Sequence, residues 1–309
     1  MRSIKEIRDD IEFNEIERDS LTETKLYPEV VNEMVNPPDS VKLPGWANFN
    51  ELVGGLRMRE FTILCGSTGS GKTTLLSSLA RALKDANKNI YVLSVETGPR
   101  DFLRRTMSAY MGKDLNRGEV VDKEEIRFFT EKYGSHICKD NIYLSKHDNR
   151  LDPEHVIDQI VLHKDKYKCD FVFIDNLNFL LEVVSQNRQI EVMDNVTHQF
   201  IMLSKQLDVH IVMVMHPRKT EDTRVESEFD IKGSSTAVQE AHNVFLFNRP
   251  SSKQLNSFDL RDLITNQHRE LIIRKLRRRG ESIGKSIWLK YENASYKEVF
   301  EYTQFSRKC

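Results

Sequence analysis

A glycine-rich motif at residues 66–73 is the sequence feature that most constrains how this chain can fold. Residues Gly66-Ser-Thr-Gly-Ser-Gly-Lys-Thr73 fill every fixed position of the pattern G-x-x-x-x-G-K-S/T. The motif lies between an apolar run at 61–65 and an amphipathic stripe of leucines at 75–83. Glycines let backbone N–H groups surround a phosphate, and the N-terminus of a following helix adds positive partial charge. The sequence therefore predicts a strand, a phosphate loop and a helix in that order; the alternative is a glycine-rich turn with an exposed lysine.

The polar side chains of this loop have separate expected tasks. Lys72 supplies a cation near the β and γ phosphates of a nucleoside triphosphate, and the Thr73 hydroxyl can ligate Mg²⁺. The predicted cofactors are therefore ATP, or another nucleoside triphosphate, and Mg²⁺. The residues predicted to hold the nucleotide are Gly66, Ser67, Thr68, Gly69, Ser70, Gly71, Lys72, Thr73 and Thr74.

Short apolar runs alternate with helical patterns through most of the chain, which is typical of βαβ units and a parallel sheet. Two later runs, 271–273 and 286–289, flank a basic turn that contains glycine and indicate an antiparallel hairpin. We expect an α/β fold with a central, mainly parallel sheet flanked by helices and a C-terminal antiparallel hairpin. The predicted parallel strands are 61–65, 90–95, 171–174, 209–215 and 244–247.

Three polar residues follow the ends of predicted strands. Asp175 ends a wholly apolar run and is the expected carboxylate for the metal; the alternative is a cap on the next turn. Glu96 follows the strand 90–95 and could orient the attacking water, although it could instead cap the next helix. His216 could sense the γ-phosphate and pass its presence to the following loop, or it could be an ordinary surface or core histidine.

Composition excludes several classes of protein. The 309 residues include 46 basic and 47 acidic side chains, a net charge of −1, which excludes a uniformly basic nucleic-acid coat. No run approaches the roughly 18 apolar residues of a membrane span, and the N-terminus resembles no secretory signal. The four cysteines are far apart in the sequence, so we expect reduced thiols, with Cys65 and Cys169 in the core. We expect a cytoplasmic protein, of a bacterium or of a phage-infected cell, that does not contact a membrane.

Three segments are expected along the chain. Residues 1–24 form an amphipathic arm with isoleucines at helical spacing, either frayed on its own domain or docked on a neighbouring subunit. Residues 25–43 form a linker that we expect to contain no helix, because prolines recur there. Residues 44–309 form the main domain.

The same motifs, taken in order, resemble the RecA-like ATPase domain of the DnaB-type hexameric replicative helicases, including the mitochondrial helicase Twinkle and related phage helicases. The resemblance extends from about residue 43 to residue 292 and implies a RecA-like P-loop NTPase fold. The His-Pro-Arg-Lys string is among its more specific parts. The strings that carry it are residues 66–74, 94–97, 173–177, 216–219 and 233–241.

The resemblance also implies a ring in which an arginine from one subunit reaches the nucleotide of the next. Arg277 best matches this arginine finger, with Lys275 beside it, but neighbouring arginines leave the register open. The alternatives are a solvated run of charge or a plain phosphate-binding patch. The residues expected to act in catalysis are Glu96, Lys72, His216, Arg277 and Lys275.

In such a ring, single-stranded DNA passes through the centre and touches two loops, one after Asp175 and one after His216. Acidic residues within the second loop make its last three positions, 232–234, the better supported ones. Partners are then DNA, identical subunits in a hexameric ring, and a primase and polymerase on separate chains. The residues expected to contact DNA are Arg188, Arg218, Lys219, Arg224, Lys232, Gly233 and Ser234.

The expected function is ATP-dependent translocation on single-stranded DNA and unwinding of duplex during DNA replication. A RecA-like recombinase or a KaiC-like regulatory ATPase would use the same phosphate loop and carboxylates without unwinding anything. A loader or packaging ATPase is a third reading, in which the aromatic segment 296–305 docks a partner, unless that segment is simply a last strand and a packed terminus. Fold alone does not separate these functions.

Overall fold

The computed structural model describes residues 30–115 except 33, 122–128, 131, 142–144, 153–176, 189–218, 224–231, 235–256 and 264–299. Its strands are β1 Ser40–Val41, β2 Leu56–Arg57, β3 Phe61–Cys65, β4 Ile90–Ser94, β5 Ile142–Leu144, β6 Phe171–Asp175, β7 His210–Met215, β8 Asn243–Asn248, β9 His268–Leu276, β10 Ser286–Glu292 and β11 Ser295–Glu298. Its helices are α1 Ala47–Leu52, α2 Lys72–Asp85, α3 Gly98–Met111, α4 Pro153–Tyr167, α5 Gln189–Gln206, α6 Ser235–Glu240 and α7 Ser252–Asn256, with 3-10 turns at Glu228–Asp230 and Gly280–Ser282.

Within these residues the main sheet has nine strands in the order β11-β10-β9-β8-β3-β7-β6-β4-β5. Pairing is parallel from β8 through β5 and antiparallel from β8 through β9 and β10 to β11. The predicted α/β fold and its C-terminal hairpin are therefore confirmed. Two strands lacked a clear sequence signal: β5 is short and only half-buried, and β11 ends a hairpin without a continuous apolar run.

The sheet is covered on both faces, which explains why its parallel strands are apolar along their whole length. Successive residues of β3 point to opposite faces, so Ile63 packs with α4 and α5 while Leu64 packs with α1, α2 and α3. Cys65 and Cys169 are buried free thiols, as predicted. None of the described helices is long and apolar enough to cross a lipid bilayer.

The segment predicted as a linker differs from the expectation. Residues 30–32 and 34–35 are helical, because the stretch between Pro28 and Pro37 contains no proline that would interrupt a short helix. Further on, β1 pairs with β2, and Leu43 is fully buried in the core. The last residues of the predicted linker therefore pack as part of the main domain. The predicted arm at 1–24 lies outside the described residues.

Candidate active site

The carboxyl ends of β3, β7, β6 and β4 meet at one edge of the sheet. Parallel pairing places Cys65 opposite Met215 and Ser94 opposite Asp175. Residues that follow these ends are therefore neighbours in space, although they are far apart in sequence. This edge gathers the phosphate loop, Glu96, Asp175 and His216, which is the arrangement that the sequence predicted.

The phosphate loop has a backbone shape that requires glycine. Gly69 and Gly71 have φ values of 74° and 100°, in the left-handed region. Lys72 begins α2 and is buried, and its Nζ donates to the carbonyl oxygens of Gly66 at 2.7 Å and Ser67 at 3.0 Å. Burial lowers the pKa of Lys72 from its ordinary value, while the charge of Asp175 opposes that shift. Lys72 therefore lies folded back onto its own loop, within reach of any phosphate that the loop holds.

Thr73 and Asp175 form a pair suited to Mg²⁺. The Thr73 hydroxyl donates to Asp175 Oδ2 at 2.7 Å, while the fully buried Oδ1 has no hydrogen-bond partner among the described residues. Burial raises the pKa of Asp175, so a cation beside this carboxyl group would stabilise its charged form. The described residues contain no cluster of three His, Cys, Asp or Glu side chains that could hold a metal alone. A hydroxyl and one carboxylate fit Mg²⁺ that takes its remaining ligands from phosphate and water.

Glu96 is held by two donors on a single oxygen. Its Oε2 accepts hydrogen bonds from Asn176 Nδ2 at 2.6 Å and from His216 Nε2 at 3.3 Å. The hydrogen bond from His216 is the main reason that the pKa of Glu96 lies below its usual value. Glu96 therefore stays ionised at neutral pH, as a group that orients or deprotonates water must be. The structure thus places Glu96 at the same edge of the sheet as the phosphate loop, and its role in orienting water stays a prediction.

Sequence reasoning missed the residues that hold the phosphate loop from outside. Arg249 Nη2 donates to the Gly69 carbonyl at 2.6 Å, and Arg269 Nε donates to the Ser70 carbonyl at 2.7 Å. Arg249 follows the carboxyl end of β8, a position that could have identified it. Arg269 lies on an antiparallel strand and had no comparable signal.

The predicted finger residues do not lie at the edge of the sheet that carries the phosphate loop. Lys275 Nζ donates to the carbonyl oxygens of Val238, at 2.9 Å, and Gln239, and Arg277 Nη2 donates to the Glu240 carbonyl at 2.8 Å. Both cations thus stabilise the C-terminal end of α6, where the helix dipole is negative. Leu276 pairs with Asn243, which in turn pairs with Thr62 at the amino end of β3. The predicted finger is therefore at the opposite edge of the sheet from the phosphate loop.

The structure describes two of the residues predicted to contact DNA, and their surroundings differ. Arg218 follows β7 and is exposed, whereas Arg224 is paired with Glu270 at 2.5 Å. Because the buried carboxylate of Glu270 already neutralises its charge, we no longer expect Arg224 to contact DNA. The others, Arg188, Lys219, Lys232, Gly233 and Ser234, lie outside the described residues.

Comparison with known proteins identifies the family that this chain resembles. The profile of the DnaB-like helicase C terminal domain family matches residues 43–298. A probable plasmid replicative DNA helicase of Chlamydia trachomatis is 27% identical over 200 residues, covering 62% of this chain and 44% of that protein. Its counterpart in Chlamydia muridarum is 29% identical over 197 residues, covering 62% and 43%. The matched part of the chain thus spans less than half the length of these relatives.

A solved structure of a DnaB-like replicative helicase, studied for its interactions with primase, has the same fold. It superimposes with a TM-score of 0.70 and 15% sequence identity, covering 96% of this chain and 75% of that one. The resemblance expected from the sequence motifs is thereby confirmed, and it implies a nucleotide-binding domain. The chain belongs to the DnaB-like helicase C-terminal domain family.

Proposed function

We propose that this protein is an ATP-driven DNA helicase that moves along single-stranded DNA and unwinds duplex during replication. The observation that carries the proposal is the meeting, at one sheet edge, of the phosphate loop, the Thr73–Asp175 pair and the Glu96–His216 pair. Membership of the DnaB-like family supports this function over a recombinase or a regulatory ATPase. The protein would act in the cytoplasm of a bacterium or of a phage-infected cell, together with a primase and a polymerase.

The residues of the site have complementary roles in ATP hydrolysis. Lys72 turns from the carbonyl oxygens of its loop to the β and γ phosphates. Thr73 and Asp175 would hold Mg²⁺, and the chemistry that bound Mg²⁺ supplies is neutralisation of charge on those phosphates. The ionised Glu96 accepts a hydrogen bond from water and orients it toward the γ phosphate. His216, bonded to that carboxylate, registers whether the γ phosphate is present.

A second subunit would complete the site. A strand rises about 3.3 Å per residue, so Thr62 and Cys65 are roughly 10 Å apart, and the phosphate loop lies beyond Cys65. Arg277 is tied to α6 at the far edge and therefore cannot serve the nucleotide of its own protomer. Supplied by a neighbour in a hexameric ring, Arg277 with Lys275 would stabilise the charge that develops during phosphoryl transfer.

A short backbone route connects His216 to the proposed DNA loop. Pro217 forms an antiparallel bridge with Ile231, and the Arg218 N–H donates to the Asp230 carbonyl at 2.6 Å. Lys232, Gly233 and Ser234, the best-supported DNA contacts, come directly after this bridge. A displacement of His216 would therefore reach the DNA loop through two adjacent residues. Loops that follow a nucleic-acid backbone need few cations, which is compatible with a net charge of −1.

Strand displacement on forked DNA substrates tests the proposal. Wild-type protein with ATP and Mg²⁺ should release a labelled strand, and its ATPase should rise when single-stranded DNA is added. The Lys72→Ala protein should do neither. Forks with either the 5′ or the 3′ tail removed would give the direction of movement.

Electron microscopy of negatively stained protein separates the alternatives. A helicase should form closed rings with an ATP analogue and DNA, whereas a recombinase should form open filaments. ATP turnover without strand release, combined with filaments, would contradict the helicase assignment. DNA-independent turnover with no ring or filament would instead favour a regulatory ATPase.

A further inference from the structure

Asn176 is a buried polar residue for which the proposed hydrolysis has no task. It follows Asp175, is 1% exposed, and donates from Nδ2 to Glu96 Oε2 at 2.6 Å. An amide buried at the carboxyl end of a strand needs a partner, and this one uses the carboxylate that would act on water. The amide therefore acts directly on the orientation of Glu96.

The backbone leaves Glu96 little freedom other than rotation of its side chain. The Val95 N–H donates to the Asp175 carbonyl at 2.8 Å, and the Glu96 N–H approaches the same oxygen at 3.3 Å. With β4 fixed in this way, the two donors on Oε2 decide where the carboxylate points. They also occupy lone pairs that a water molecule could otherwise use.

The two donors differ in how firmly they are held. Asn176 is buried and directly follows β6, whereas His216 makes the longer contact, 3.3 Å, and leads into the proposed DNA loop. We propose that Asn176 is a positioning residue that, together with His216, holds Glu96 in a resting orientation and limits hydrolysis until His216 moves. This inference rests on the proposed function. If DNA stimulates the ATPase as proposed, this restraint assigns the lower rate of the DNA-free enzyme to the hydrogen bond between Asn176 and Glu96.

The near-isosteric Asn176→Leu variant removes the donor while keeping the volume of the side chain. Steady-state ATPase would be measured over a titration of Mg-ATP, with and without saturating single-stranded DNA. Without DNA, kcat should rise roughly fivefold with an unchanged KM, in proportion to the loss of one hydrogen bond. With DNA, kcat should stay within about twofold of wild type, since the restraint is already released. The stimulation ratio should therefore fall.

Two further variants make the result specific. Asn176→Gln keeps an amide donor and should recover part of the wild-type stimulation ratio. Asn89→Leu removes an amide that donates to the Tyr167 carbonyl at 3.0 Å, at the opposite edge of the sheet, and should leave the ratio unchanged. Circular dichroism and binding of a fluorescent ADP would establish folding. If Asn176→Leu does not fold, Asn176→Ser takes its place, because the serine side chain is too short to reach Glu96. Its stimulation ratio should fall as expected for Asn176→Leu.

Each of the remaining outcomes would contradict the proposed restraint of Glu96 by Asn176. An equal fall of kcat with and without DNA would mean that Asn176 orients Glu96 for catalysis. An unchanged ratio would mean that the amide is structural. If wild-type protein shows no DNA-stimulated hydrolysis, the proposed function fails and the restraint fails with it, whereas a stimulated wild type with an unaffected variant removes the restraint alone.

Discussion

At the scale of single residues, the proposed site is built from pairs of side chains that different segments of the fold bring together. Thr73 and Asp175 are 102 residues apart in sequence and lie 2.7 Å apart, whereas Glu96 and His216 are 120 residues apart in sequence and lie 3.3 Å apart. Neither pair could form if the order of strands in the sheet were different. The expected role of each residue therefore depends on the partner side chain that the fold places beside it.

Replacing Thr73 by Val removes the hydroxyl while keeping the branched shape of the side chain. We expect Mg²⁺ activation of the ATPase to weaken by roughly 10–100-fold, as for other losses around a metal site. Thr73→Ser is the matched control, because it retains the hydroxyl. ATPase rates over a Mg²⁺ titration would measure the effect, and superimposable titration curves for the three proteins would contradict it.

His210 should make the stability of the fold dependent on pH. The ring is fully buried, its Nδ1 donates to the Arg57 carbonyl at 2.6 Å, and its Nε2 accepts from the Thr62 hydroxyl at 2.9 Å. Burial lowers the pKa of His210 from 6.5 to about 4. As the pH falls below 6.5, the unfolded chain takes up this proton before the folded chain does. The free energy of unfolding therefore decreases between pH 6.5 and about pH 4.

Comparison with the His210→Gln variant, which cannot titrate, isolates this effect. Between about pH 8 and about pH 5, the wild type should lose roughly 2 kcal/mol more of its free energy of unfolding than the variant. Urea denaturation at the two pH values gives the difference. Equal losses would show that His210 titrates in the fold as it does in the unfolded chain.

At the scale of elements, β9 connects two functional regions. Arg269, near its first residue, supports the phosphate loop, and Lys275, near its last, caps α6. Antiparallel pairing with β8 makes β9 run from the nucleotide edge of the sheet to the opposite edge. This strand therefore extends from the proposed nucleotide site toward the edge that, in the proposed ring, would face a neighbouring subunit.

The Arg269→Met variant tests the support of the phosphate loop. Loss of a charged donor to the Ser70 carbonyl should weaken nucleotide binding on the order of tenfold, because the loop loses an anchor. Arg279→Met is the matched control, since Arg279 donates to the Glu51 carbonyl at 2.6 Å at the other edge of the sheet. Titration of fluorescent ADP would give both affinities. An equal loss in the two variants would indicate a general effect on folding.

At the scale of the whole molecule, the proposed active site is shared by two copies of the chain. Arg277→Ala should lower ATPase by roughly a thousandfold or more if it acts as a finger. Lys72→Ala should be equally inactive but should still offer its arginine to a neighbour. Mixing the two inactive proteins should therefore restore part of the activity.

The mixed sample should show ATPase that rises with protein concentration, as assembly rises. Recovery should be absent when both substitutions are placed in the same chain. Full ATPase activity of the Arg277→Ala protein at every concentration would contradict an active site shared between two copies. Arg277 of the wild-type chain would then have only the structural role of stabilising the end of α6.

Local sequence was enough to determine the phosphate loop, the main parallel strands and the three polar residues at their ends. Each of those signals is contained in a short window: a glycine pattern, an apolar run, or a polar residue that ends one. The prediction of Glu96, Asp175 and His216 as neighbours then followed from a general property of parallel sheets. The expectation that residues 25–43 contain no helix was wrong, because a short helix fits between two prolines.

Only the tertiary structure decided which partners those residues have. Strand order and register bring Asn176 to Glu96, Arg269 to the Ser70 carbonyl, and Arg277 to α6 rather than to its own phosphate loop. These contacts join positions separated by between 37 and 199 residues. No local pattern specifies such pairings, because they depend on how the apolar faces of many elements pack together at once.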